Sequence, residues 1–232
     1  MDQADIPALL ARLSSDEDAA RKMAVFKLQS SINDPAFADV FISSGGLVIL
    51  RRLIMEAGGN TLAYSLQSLT RLLEVDMGWD IFEGPSAGDL VERIVELIVT
   101  NPLVNILRGA MSILVALVSH SQSSSSNDTR GGTSSNYGFR ALRPAIAVFP
   151  QFFELVVQQL QSADHALCAN ALMLTNALIR DALSSSNTTA GTFDGTGEEW
   201  TKIIKRLHDL GLVKAVLSVS CYFGDGVMWR ST

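Results

Sequence analysis

Apolar positions along the chain return in helical steps. In "LQSLTRLL" (66–73) they fall at Leu66, Leu69, Leu72 and Leu73, one face of a helix with 3.6 residues per turn. The same template fits "LRGAMSIL" (107–114) and "ALMLTNAL" (171–178), and more loosely "VFKLQSSI" (25–32). Val25 to Leu66 is 41 residues, and Leu66 to Leu107 is 41 again. Leu107 to Ala171 is 64, an excess of 23. Between them lies "SHSQSSSSNDTRGGTSSNYGFR", 22 residues at 119–140 too polar to pack, which accounts for nearly all of that excess. The pattern predicts a 41-residue repeat interrupted by a disordered insertion.

Two further helices per repeat are interleaved with the long ones. Medium segments are "GGLVILRRLIMEAGG" (45–59), "AGDLVERIVELIVT" (87–100), "FPQFFELVVQQLQS" (149–162) and "LGLVKAVLSVSCYFG" (210–224). Shorter ones precede them: "PAFADVFI" (35–42), "WDIF" (79–82), "ALRPAIAVF" (141–149) and "EEWTKIIKRLHDL" (198–210). Asp34 with Pro35, Asn101 with Pro102, and Phe149 with Pro150 place proline where a helix starts and its missing N–H costs little. "SDED" (15–18) and "TGEE" (196–199) fit capping boxes, and Gly58 and Gly59 can end a helix. No segment alternates apolar and polar residues long enough for a sheet. The expectation is an all-α, armadillo-like right-handed superhelix of about four three-helix repeats. It forms one domain over 1–232, with a second disordered insertion, "SSSNTTAGTFDGTG", at 184–197.

Composition narrows the function. The chain has 232 residues, 47% of them hydrophobic, and a net charge of −6, so no basic field draws phosphate backbones and nucleic acid is not an expected partner. "MDQADIPALL" has no basic stretch ahead of an apolar run, so a cytoplasmic protein is expected. Cys168 and Cys221 form no close pair and read as core thiols. The most apolar run, 103–118, falls short of the ~20 residues of a membrane span and is broken by Asn105 and Arg108. His120, His165 and His208 are scattered, so no metal is expected. Gly191, Gly195 and Gly197 are followed by Glu198 and Glu199, which repel phosphate. Glu92 with Glu96, and Asp16 with Asp18, sit on solvent faces or at helix starts. Without a Ser elbow or a base, the chain is expected to be no enzyme and to need no cofactor.

What remains is surface. Stacked long helices line a concave face, and the residues between their apolar positions should point into it. The expected partner-binding residues are Gln29, Gln67, Arg71, Asn105, Arg108, Asn170, Asn176 and Arg180, whose amides and guanidinium groups suit a partner's backbone and carboxylates. Trp79 and Trp200 begin short helices and read as wedges between repeats, while Trp229 in "GDGVMWRST" has no element left to cover it. That exposed end suggests part of a longer scaffold.

"FADVFISSGGLVILRRLI" (37–54), "FPQFFELVVQQLQSADHALCANALMLTNALI" (149–179) and "WTKIIKRLHDLGLVKAVLSV" (200–219) resemble the armadillo-like helical region of the engulfment and cell motility (ELMO) scaffold proteins, over most of 17–222. The Ser-rich insertions look like those of a filamentous fungal version. The resemblance implies a non-catalytic adaptor that works with a DOCK-type exchange factor to activate Rac and signal to the actin cytoskeleton. It also implies upstream small-GTPase binding, intramolecular autoinhibitory contacts, and recruitment to the plasma membrane through partners. The GTPase-binding armadillo region of formins, which receives an autoinhibitory helix, is the alternative. The family's ubiquitin-like, ELMO and pleckstrin-homology domains do not fall within these 232 residues. No functional residue of the family carries over by position.

Overall fold

The computed structural model describes the backbone of residues 5–123, 137–188 and 196–217, and the side chains of 5–120, 137–181 and 201–217. Eleven named helices follow in order: α1 (Ile6–Leu13), α2 (Asp18–Ser31), α3 (Pro35–Ser43), α4 (Gly46–Glu56), α5 (Gly59–Glu74), α6 (Ala87–Thr100), α7 (Val104–Ser123), α8 (Phe139–Val148), α9 (Phe152–Gln159), α10 (His165–Thr188) and α11 (Thr196–Asp209). A 3-10 turn, Trp79–Phe82, precedes α6, and a further helical stretch occupies 212–217. The described residues contain no strand.

The long helices stack in the expected order, α2 on α5, α5 on α7 and α7 on α10. Val25, Leu66, Leu107 and Ala171, the equivalent positions of the repeat, are all buried. A second row runs α1, α4, α6 and α9 behind the first, and the short elements α3, the 3-10 turn, α8 and α11 fill the corners. The core is one continuous apolar layer between the two rows. Four long helices burying one stripe therefore stand side by side.

Small residues set the spacing between layers. A Cβ at Gly109 of α7 would lie 2.8 Å from Cβ of Leu66 in α5, so only glycine permits this approach. Gly45 turns α3 into α4 with a left-handed φ of 82°, and a Cβ on the next residue, Gly46, would enter the Phe41 ring at 2.5 Å. Buried Ser65, Ser68 and Thr175 escape the cost of an unpaired hydroxyl by donating to the carbonyl four residues back.

Helix starts differ from expectation in detail. Asp34 caps α3 as foreseen, accepting from the Ala36 amide at 3.0 Å with Pro35 in the first turn. Asn101 accepts from the Leu103 amide at 3.0 Å, just ahead of α7. The box expected in "SDED" does not form: Ser15 Oγ accepts from the Glu17 amide, and α2 begins only at Asp18 without a side-chain cap. For "TGEE" the side chains lie outside the described residues. Gly59 is left-handed, but it opens α5 after α4 has already ended at Glu56. Helix α7 runs on to Ser123 and α10 to Thr188, past the expected starts of the insertions at 119 and 184. What lies between, 124–136 and 189–195, is outside the described residues, as are Cys221 and Trp229.

Candidate docking groove

A helix that packs two neighbours and a second row leaves one narrow stripe to solvent. In α5 that stripe is Tyr64, Gln67, Arg71 and Glu74; in α7 it is Asn105, Arg108 and Ser112. Because α5 and α7 lie side by side with their 41-residue register intact, the two stripes border one open groove of about 540 Å³, joined at its edge by Asn33. Four of the expected residues, Gln67, Arg71, Asn105 and Arg108, thus meet in one place.

The other four are placed differently. Gln29 is half-buried, and its backbone carbonyl accepts from Arg71 Nη1 at 3.2 Å, so that bond bridges α2 and α5. Asn170 was expected in the open but is buried. Its Nδ2 donates to the Arg108 carbonyl at 3.2 Å and to Ser112 Oγ at 2.7 Å, clamping α10 to α7. One residue before the core position Ala171, it sits about 100° around the helix, which is enough to turn it from the open face into the seam. Asn176 and Arg180 are exposed on α10 with Leu172 and Met173, one helix beyond the groove.

Two charged groups prove to be engaged. Arg108 Nη2 donates to Asp164 Oδ2, whose other oxygen accepts from the Leu167 amide at 2.9 Å, so Asp164 caps α10 and ties it to α7. The Leu167 amide first, and then the Arg108 guanidinium, hold the Asp164 carboxyl below the usual range. Among the described residues no carboxylate lies within ion-pair distance of Arg71, although Glu74, one turn on along α5, shares the groove with it. Sequence reasoning missed Tyr64 and Ser112, although the repeat itself pointed to them: Met23, Tyr64 and Asn105 share one row, as do Ser30, Arg71 and Ser112.

A second cluster closes the rear of the repeat. Trp79 stacks on His120 of α7 with ring centroids 3.8 Å apart, meets Tyr137 edge-on at 5.8 Å, and donates Nε1–H to Asp76 at 2.7 Å. Trp79 is thus the wedge between repeats that was expected; the Trp200 side chain lies outside the described residues. Burial first, then the negative charges of Glu83 and Asp80, push the Tyr137 phenol up. Among the described residues no three His, Cys, Asp or Glu side chains gather to hold a metal, and no helix is long and apolar enough to cross a membrane.

Comparison with known proteins agrees with this architecture. The family described as "ELMO, armadillo-like helical domain" matches residues 36–193, more than half of the chain. Formin-G of Dictyostelium discoideum is 25% identical over 203 residues, which is 85% of this chain but only 16% of that protein. Among solved structures, computationally designed armadillo repeat proteins for modular peptide recognition superpose with a TM-score of 0.57 at 14% identity, covering 93% of this chain and 74% of theirs. An engineered protein gives a TM-score of 0.55 at 16% identity over 95% of this chain and 90% of its own. A designed armadillo repeat protein in complex with the peptide (KR)4 gives 0.54 at 12%, over 93% and 92%. At such identities these structures speak for the fold.

Proposed function

The chain belongs to the ELMO armadillo-like helical domain family, and from that premise we propose that it is the non-catalytic interaction domain of a scaffold in small-GTPase signalling. In this reading it acts in the cytoplasm with a DOCK-type exchange factor, on Rac and the actin cytoskeleton, and reaches the plasma membrane through its partners. The observation that carries the proposal is the groove between α5 and α7. It lies within the family match and gathers two arginines and two amide side chains on one open surface. Such groups hydrogen-bond a partner's backbone and carboxylates.

The test is capture by the purified domain of purified Rho, Rac and Arf-type GTPases in both nucleotide states, and of a DOCK-type exchange factor. Binding of at least one is expected, and binding of none sinks the reading.

A second reading, a formin-type autoinhibitory region, is favoured by the similarity to Formin-G across 85% of the chain. An amphipathic helical peptide that binds while every GTPase fails would establish it instead.

A further inference from the structure

We draw no further inference here: the strongest candidate, the surface patch on α10 where Leu172 and Met173 stay exposed, is an unpartnered apolar face, and nothing in the structure shows what covers it.

Discussion

Asp164 shows how much one side chain can join. One carboxylate oxygen satisfies the start of α10 and the other reaches across to Arg108 of α7. Asp164→Ala loses both and is expected to cost about 1–2 kcal/mol in urea melts, whereas Asp164→Asn keeps a cap acceptor and costs less. Since the folded state holds this carboxyl below its ordinary 3.8, its contribution is complete above that value and is lost as pH falls through the lowered one. Stability measured against pH should therefore drop less steeply in acid for Asp164→Asn than for the wild type. Individual residues were the least legible part of the sequence. Asp34 ahead of Pro35 announced its cap because both signals are local, but "SDED" promised a box that is absent. There Arg21 instead reaches the Ser15 carbonyl and Asp18. Asn170 was misplaced because residues at the border of an apolar stripe are assigned by the neighbouring helix, which a single sequence does not display.

Between elements, contact distance decides the energetics. Gly109→Ala gains intrinsic helix preference of up to about 1 kcal/mol, yet its new Cβ meets Leu66 Cβ at 2.8 Å and must push α5 from α7. Overpacking of this kind costs about 1–3 kcal/mol, so a lower melting temperature is expected. Leu66→Ala should give no relief, because alanine keeps the atom in collision. At the rear, Tyr137→Ala removes a ring that packs against both Trp79 and His120 and should also lower the melting temperature. The raised Tyr137 phenol adds a pH signature: its contribution is whole below its ordinary value of 10.0 and fades as pH climbs above that toward the folded value. A Tyr137→Phe variant should lose less stability in strong base than the wild type. The long helices were legible by place more than by extent, since the 8-residue templates fall within α5, α7 and α10 and on α2, while the medium helix α6 was legible to the residue, because a periodic apolar face is a strong signal over several turns. Helix α1 went unforeseen, since at 8 residues it offers barely two turns of pattern.

At the scale of the whole chain, the 41-residue step shared by the first three long helices was the most informative feature, because a stack returns the same position to the same environment. The order of the long helices and the shared groove both followed from it. Nearest-neighbour stacking makes stability a sum of interfaces, so damage at one long helix reaches both of its neighbours. Leu174 is fully buried in α10, and Leu174→Asp is expected to unfold the array. An unpaired buried carboxylate costs several kcal/mol against a total of about 5–15. Circular dichroism on heating reads the outcome, and a variant that melts cooperatively near the wild-type temperature contradicts the register proposed for this helix.

The hidden thiol of Cys168 gives that stack a built-in timer. Its Sγ donates to the Leu160 carbonyl at 3.2 Å, and burial raises its pKa, so an alkylating reagent reaches it only when the junction of α9 and α10 swings apart. With Cys221 changed to serine, the rate at which Cys168 is alkylated becomes a report on how readily the junction of α9 and α10 opens.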